Sequence, residues 1–202
     1  MKDGVINAAA SYDALVWLIA RGREREFRER VLAFAKLAPG ERVLDAGCGT
    51  GSTAIVAARI VGPAGSVTGI DPSPNMIARA SRKARRAGVA AEFQVGRAEA
   101  LPCADASIDV VLSTMMMHHL RWQARQDFAA ECARVLRPGG RAFVTDFGPP
   151  LRGQTGLVQW LHRKHFLDLQ RIAAHFTDAG FIARESGEVG MKSLVYLVAG
   201  RG

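Results

Sequence analysis

Short apolar stretches alternate with longer, helix-like stretches along most of the chain. Seven of the short stretches fit β-strands, because they are apolar and bounded by glycine, proline or polar residues. They are residues 42–45, 66–71, 92–95, 108–113, 141–146, 181–186 and 192–199. Helical patterns cover residues 12–37 and 165–179, and further helices are predicted to begin near Thr50, Pro74 and Trp122.

The order of these elements predicts an α/β fold. Apolar strands that alternate with helices form a mostly parallel sheet with helices on both faces. The last two strands are separated only by a short turn, so they must pair antiparallel, and the sheet should end in a hairpin. The sequence contains no repeat, low-complexity tract or linker, and we therefore expect a single domain over residues 1–202.

Three glycines, Gly47, Gly49 and Gly51, follow the first strand at alternating positions, and a helix begins directly after them. Such a turn lets a ligand touch bare backbone, and the helix behind it presents free N–H groups. The dinucleotide fingerprint has its third glycine where this chain has Ser52. The turn is therefore predicted to bind a ligand, and the spacing weakens the case for a dinucleotide.

Two acids narrow the choice of ligand. Asp45 ends the first strand, where its charge would repel a pyrophosphate but suits an ammonium group. Asp71 ends the second strand about 20 residues after the glycine turn, a position from which a carboxylate can bind both hydroxyls of a ribose. A nucleoside that carries an amino acid satisfies both acids.

Five motifs carry a resemblance to a known family: residues 43–51, 69–76, 98–102, 107–110 and 134–140. In this order and spacing they resemble class I S-adenosylmethionine-dependent methyltransferases with a type-11 methyltransferase domain. The most similar group contains the ubiquinone/menaquinone-biosynthesis C-methyltransferases. The resemblance covers residues 12–146 and, more loosely, the closing hairpin. It implies a Rossmann-like, doubly wound sheet of seven strands with an antiparallel end, and S-adenosylhomocysteine as a product.

The resemblance also implies a division of the chain and a set of cofactor-binding residues. Residues 1–40 would form an N-terminal helical cap, 41–147 the cofactor-binding core, and 148–202 the acceptor-side helix and hairpin. The cofactor-binding residues would be Tyr12, Asp45, Gly47, Gly49, Gly51, Asp71, Met76, Ala98, Glu99 and Thr114.

Among these, Asp45 would hold the ammonium group of the cofactor and Asp71 its ribose hydroxyls. Tyr12 would close over the cofactor, and Thr114 would lie beside the methyl group. Two simpler interpretations remain open: Asp71 as a helix cap and Tyr12 as an ordinary surface residue.

The adenine would lie against Met76, with Ala98 offering backbone and Glu99 lying near the adenine edge. Met76 fits a plain core position equally well. Many relatives carry an acid where this chain has Arg97, and an arginine cannot accept a hydrogen bond from the adenine amino group.

The methyl acceptor is expected beyond the end of the fourth strand, because ligands bind at the carboxyl ends of such strands. Residues 113–120 contain three methionines and two histidines there, which indicates an apolar pocket with a polar handle. His118 or His119 could act as a base or an orienting group. Alternatively, one histidine caps the following turn and the other faces solvent.

Residues 149–175 lie where relatives insert acceptor-binding elements. Trp160, His162, His165 and Phe166 could form one apolar lid, or Trp160 and Phe166 could simply anchor a helix on the sheet. The insertion is short, which favours a small or medium, partly apolar acceptor. The thiol clusters of arsenite methyltransferases are absent, and O-, N- and C-methylation all remain compatible with the sequence.

The net charge of the chain suggests an alternative class of methyl acceptor. The 202 residues carry 27 Lys and Arg against 19 Asp and Glu, a net charge of +8, which suits an anionic partner. The helix over residues 75–87 carries five cations and no acid: Arg79, Arg82, Lys83, Arg85 and Arg86. A solvated face is the simpler interpretation. RNA or phospholipid as the acceptor, or a non-catalytic cofactor-binding accessory protein, are the competing hypotheses.

The remaining composition limits the cellular context. The three cysteines, Cys48, Cys103 and Cys132, show neither metal-type spacing nor an even count, so we expect no metal site and no disulfide framework. No apolar run is long enough to cross a membrane, and the N-terminus lacks the features of a secretion signal. The expectation is a cytoplasmic protein with a small-molecule substrate, and the oligomeric state stays open.

Overall fold

The computed structural model describes residues 23–149, 167–190 and 194–202. The strands in these ranges are β1 Arg42–Ala46, β2 Ser66–Asp71, β3 Glu92–Val95, β4 Ile108–Thr114, β5 Leu136–Phe147, β6 Phe181–Glu188 and β7 Leu194–Arg201. The helices are α1 Glu24–Ala33, α2 Ser52–Val61, α3 Pro74–Ala87, α4 Trp122–Val135 and α5 Leu169–Asp178, with a 3₁₀ turn at Met117–His119.

The strands form one sheet in the order β3-β2-β1-β4-β5-β7-β6. Strands β1 to β5 run parallel to their neighbours, whereas β7 runs antiparallel to both β5 and β6. The predicted α/β fold, with seven strands and an antiparallel C-terminal hairpin, is confirmed. Because chain direction reverses only at β7, the carboxyl ends of β1, β2, β4 and β5 meet at one edge of the sheet, which we call the carboxyl edge.

Helices cover both faces of the sheet, so the central strands are apolar on both sides. Residues of α1 and α2, such as Leu32 and Ala57, pack with Val43 and Leu112 on one face. On the other face α4 and α5 pack against the strands, with Phe128 at the centre. Burial of these strands stabilises the sheet at about 25 cal/mol per Å² of apolar surface.

Several element boundaries differ from those predicted, among them those of β5, α5 and α1. Strand β5 already begins at Leu136, and its register against β4 shifts between Ile108 and Val110, because residues 137–140 form an irregularity within the strand. Helix α5 begins at Leu169 because the Asp168 carboxylate accepts a hydrogen bond from the Gln170 N–H at 2.9 Å. Helix α1 ends at Ala33 rather than near residue 37.

Within the described ranges, none of the helices has the length and apolar character that a membrane crossing requires.

Candidate active site

The glycine turn lies at the carboxyl edge, between β1 and α2. Gly47, Gly49 and Gly51 all have positive φ angles, of 71°, 53° and 79°, a conformation that glycine adopts at little cost. A Cβ atom at Gly47 would overlap the Met116 side chain, and one at Gly51 would lie 2.8 Å from the Cβ of Ala80. The close approach of other groups therefore requires glycine at both positions.

The carboxylate of Asp45 lies beneath this turn and is fully buried. Among the residues that the structure describes, neither of its oxygens has a hydrogen-bond partner. Burial raises the pKa of Asp45 from 3.8 to about 7, although the positive charge of Arg28 and the nearby Ala54 N–H act in the opposite direction. A buried carboxylate without a partner is unfavourable in an isolated protein and is well suited to a cationic ligand.

Asp71, at the end of β2, connects the glycine turn to the beginning of α3. Its Oδ2 accepts a hydrogen bond from the Gly49 N–H at 3.1 Å, and its Oδ1 accepts one from the Ser73 N–H at 2.9 Å. Burial raises the pKa of Asp71, and the two backbone hydrogen bonds lower it, so that it stays above its ordinary value. A carboxylate can accept about four hydrogen bonds, so these oxygens can still accept from a ligand.

The residues expected around an adenine lie beside this acid. Met76 and Ala98 are buried, with 3% and 8% of their surface exposed. Glu99 is half-buried, and its Oε1 accepts a hydrogen bond from the Arg97 guanidinium at 3.0 Å. Arg97 therefore pairs with Glu99, the acid two residues later in the chain.

The end of β4 turns sharply where the acceptor is expected. Met115 has a φ of 54°, which is uncommon for a residue other than glycine and marks a constrained turn. The turn buries Met116 against Gly47 and places Met117 in the core. Just before it, the hydroxyl of Thr114 lies 3.2 Å from that of Thr53 in α2, and both residues are buried.

The 3₁₀ turn after β4 brings His118 against Asp146, at the end of β5. The His118 Nδ1 lies 2.7 Å from the Asp146 Oδ1, and the side chains are 6% and 0% exposed. Asp146 also accepts hydrogen bonds from the backbone N–H groups of His118, at 3.1 Å, and Phe147, at 2.8 Å. The three hydrogen bonds satisfy this carboxylate and fix the imidazole ring.

This contact also assigns the tautomer of the imidazole. A buried carboxylate requires Nδ1 to donate, so Nε2 is the ring nitrogen that can accept a proton. His119 differs, because it is exposed, and its ring stacks on the His118 ring with 3.9 Å between ring centroids. Arg125, in the first turn of α4, donates from Nε to the Met117 carbonyl at 3.1 Å and so supports the turn from below.

Comparisons with known proteins agree with this geometry. The profile of a family described as "Methyltransferase domain" matches residues 43–140. The chain is 35% identical over 167 residues to a demethylmenaquinone methyltransferase of Deinococcus radiodurans. This match covers 83% of the chain and 68% of that protein. The chain belongs to the S-adenosylmethionine-dependent methyltransferases.

Another curated relative and a solved structure are also similar to this methyltransferase. It is 42% identical over 115 residues to an arsenite methyltransferase of Halobacterium salinarum, a match that covers 56% of this chain and 29% of that protein. It spans less than two thirds of the length of several curated relatives that it matches. A solved methyltransferase from Aquifex aeolicus shares its fold with a TM-score of 0.75 at 24% identity, over 87% of this chain and 89% of that one.

The residues at the carboxyl edge fit S-adenosylmethionine. The unpartnered, buried carboxylate of Asp45 suits a cation, and this cofactor carries an ammonium and a sulfonium group. The oxygens of Asp71 can accept further hydrogen bonds, which suits the hydroxyls of a ribose. The enzyme is therefore an S-adenosylmethionine-dependent methyltransferase by family and by the chemistry of its site.

Several predicted residues lie outside the described ranges. They are Tyr12, Trp160, His162, His165 and Phe166, and their roles stay predictions.

Asp146 is the residue of the site that the sequence interpretation did not include. The sequence does contain a pattern that identifies Asp146, because Asp45 and Asp71 are likewise identified as acids at the ends of parallel strands. The same rule applied to the fifth strand finds Asp146.

Proposed function

We propose that this methyltransferase acts on a small, partly apolar acceptor that gives up a proton during methylation, and that His118 is the general base. The observation that carries the proposal is the buried pair of His118 and Asp146 at the acceptor side of the carboxyl edge. A base is needed only where the nucleophile must lose a proton near the transition state. The acceptor class is therefore a hydroxyl or an activated C–H group, as in a hydroxylated aromatic ring.

On the cofactor side, the chain supplies binding and orientation. S-Adenosylmethionine supplies, when bound, an electrophilic methyl group on its sulfonium sulfur. Asp45 would hold the ammonium group, the backbone of the glycine turn would contact the aminoacyl part, and Asp71 would accept from the ribose hydroxyls. Met76, Ala98 and Glu99 would surround the adenine.

On the acceptor side, the chain supplies a base within an apolar wall. The Nε2 of His118 would accept the proton of the acceptor, while the Asp146 carboxylate stabilises the imidazolium that forms. Met116 and Met117, which directly precede His118, are buried and would keep water from the reacting atoms. Fixing the two reactants in this way can supply on the order of 7–11 kcal/mol of the barrier reduction.

The names of the relatives support two acceptors, and the cysteines distinguish them. The Deinococcus relative is named for demethylmenaquinone and the Halobacterium relative for arsenite. Burial raises the pKa of the thiols of Cys48, Cys103 and Cys132, which disfavours the thiolate form that binds soft elements. The structure groups no three potential metal ligands within its described residues, so a quinol-type acceptor is the better match.

The test is transfer of labelled methyl from the cofactor to three acceptors: a demethylated quinol, arsenite with thiol, and RNA. We expect label in the quinol. We also expect His118→Asn to lower kcat at least 100-fold without changing the affinity for S-adenosylhomocysteine, because asparagine keeps a hydrogen bond but cannot accept the proton. His119→Asn is the matched control and should retain activity. An unchanged kcat for His118→Asn would refute the base.

The basic face of α3 favours a second candidate, a polyanionic acceptor. Arg82, Arg85 and Arg86 are exposed on this helix, whereas the Lys83 ammonium turns inward to the Ser52 hydroxyl at 2.6 Å. Binding to RNA or anionic vesicles that weakens steeply with salt, together with labelled product in that fraction, would support this acceptor. No binding at low salt would exclude it.

A further inference from the structure

Arg28 is the buried arginine of helix α1. Only 5% of its side chain is exposed, whereas the side chains of its neighbours Arg23 and Arg25 are 68% exposed. The difference follows from helical phase, because Arg28 lies on the same stripe as Val31 and Leu32, which pack into the core. The helix therefore directs one of its arginines into the protein.

The partners of Arg28 do not account for this burial. Its only ion pair in the described ranges is with Glu24, one turn earlier in α1, at the long distance of 3.9 Å. The Nε–H has no hydrogen-bond acceptor there. The guanidinium carbon also lies 5.4 Å from the centroid of the adjacent Phe27 ring, a cation–π contact that offsets only part of the several kcal/mol that burial of a guanidinium costs. An arginine that served only structure would be expected to hold a carboxylate more closely.

The charge of Arg28 acts on Asp45, the buried acid at the end of β1. The two groups are close enough for Arg28 to oppose the effect of burial on the pKa of Asp45. Helix α1, which carries Arg28, packs beside α2, the helix that follows β1 and the glycine turn. Nevertheless, neither oxygen of Asp45 accepts a hydrogen bond within the described part of the chain. A buried cation and a buried anion thus share one region without pairing.

We propose that Arg28 binds the carboxylate of the amino-acid part of the cofactor, opposite the ammonium held by Asp45. The α-ammonium and α-carboxylate groups of an amino acid are attached to the same carbon, so a single ligand can pair with Asp45 and with Arg28. The guanidinium offers a planar fork of donors that matches a carboxylate with two parallel hydrogen bonds. Arg28 and Asp45 together would make the pocket select a complete amino acid rather than an amine or an apolar chain.

Three ligands isolate this contact. S-Adenosylhomocysteine carries both charges, its decarboxylated analogue S-adenosyl-3-thiopropylamine keeps only the ammonium, and 5′-methylthioadenosine carries neither. We expect wild-type protein to bind S-adenosylhomocysteine at least 10-fold more tightly than the decarboxylated analogue, as measured by isothermal titration calorimetry. Arg28→Met should weaken binding of S-adenosylhomocysteine 10- to 100-fold and change binding of the other two ligands by less than threefold.

Two variants serve as controls. Arg25→Met removes an exposed arginine from the same helix and should leave all three affinities unchanged, and Arg28→Lys should lie between wild type and Arg28→Met because lysine keeps the charge without the fork. An equal loss for all three ligands would show a structural role and overturn the proposal. If Arg28→Met does not fold, the wild-type comparison decides, because equal affinities for the acid and its decarboxylated analogue also overturn it.

Discussion

Two carboxylates are fully buried at the carboxyl edge, and their surroundings differ. Asp146, on the acceptor side, accepts three hydrogen bonds, from the His118 ring and from two backbone N–H groups. Asp45, on the cofactor side, accepts no hydrogen bond among the described residues, and burial raises its pKa to about 7. The two acids lie at the same sheet edge and are equally buried, so they differ in their hydrogen-bond partners and not in their exposure to solvent.

The contrast indicates two ways in which an enzyme uses a buried acid. A satisfied carboxylate fixes its neighbour in advance, so His118, the base that we propose, would need no rearrangement when substrate arrives. A buried carboxylate without a partner can pair with a cationic ligand, and this pairing offsets the free-energy cost of burying the carboxylate. Changes at the two acids should therefore separate catalysis from cofactor binding.

The largest effect is expected at Asp146. Asp146→Asn should lower kcat 100- to 1000-fold, a loss of about 3–4 kcal/mol in transition-state stabilisation, because an amide neither fixes the Nδ1–H tautomer nor stabilises an imidazolium. The affinity for S-adenosylhomocysteine should stay within threefold of wild type. Asp109→Asn is a suitable control, because Asp109 is another buried acid of the sheet but pairs with Arg42 far from the site. A kcat loss matched by Asp109→Asn would contradict a specific role.

The two sides also differ in how far the sequence predicts them. Asp45 and the glycine turn lie within seven consecutive residues, so a local sequence pattern is enough to identify them. His118 and Asp146 are 28 residues apart, and only the pairing of Thr114 with Thr145 across β4 and β5 brings them together. The sequence does not distinguish the two adjacent histidines. The structure does, because the side chain of His118 is buried and contacts Asp146 whereas His119 is exposed.

The same limit applies to Arg28. It is one of four arginines between residues 23 and 30, and their alternation with glutamate is typical of a solvated helix face. The helical phase that Arg28 shares with Val31 is visible in the sequence. The sequence does not show that Arg28 lies near Asp45, an acid without a hydrogen-bond partner among the described residues, because the two residues belong to different elements.

The next largest effect should arise where the two sides touch. Gly47→Ala would force a Cβ atom into Met116 and hold alanine at a φ of 71°, and we expect a loss of about 3 kcal/mol in the free energy of unfolding. Cofactor affinity and kcat should both fall, because we propose that Met116 lines the acceptor side. Gly88→Ala is the control, with a φ of 64° and no neighbour within 4 Å, and should cost only about 1 kcal/mol in urea unfolding. Equal losses in the two variants would rule out the contact.

A smaller and opposite effect on stability is expected at Asp45. The folded protein holds the Asp45 proton up to about pH 7 and the unfolded chain releases it near pH 4, so the folded state loses stability as pH rises between these values. Asp45→Asn should therefore raise the free energy of unfolding at pH 8 by about 2 kcal/mol, after allowance for the unpaired amide. The gain should vanish at pH 4.

Cofactor binding should change in the other direction. Asp45→Asn should weaken binding of S-adenosylhomocysteine at least 10-fold at pH 8, because the ammonium loses its charged partner. In the wild type, binding near pH 7 should release protons, seen as a dependence of the binding enthalpy on the buffer, and the variant should show none. A variant that is less stable at pH 8 and still binds normally would mean that Asp45 is already paired.

The smallest effect tests the hydrogen bond that joins the two sides, between Thr53 and Thr114. Thr53→Val and Thr114→Val should each cost about 1 kcal/mol, because each leaves one buried hydroxyl without its partner. The double variant should cost little more than either single one, since no unpaired hydroxyl remains. If Thr114 also lines the cofactor site, Thr114→Val alone should weaken binding of S-adenosylhomocysteine a few-fold, while Thr53→Val should not. Equal affinities in the two single variants would reduce Thr114 to a structural residue that ties β4 to α2.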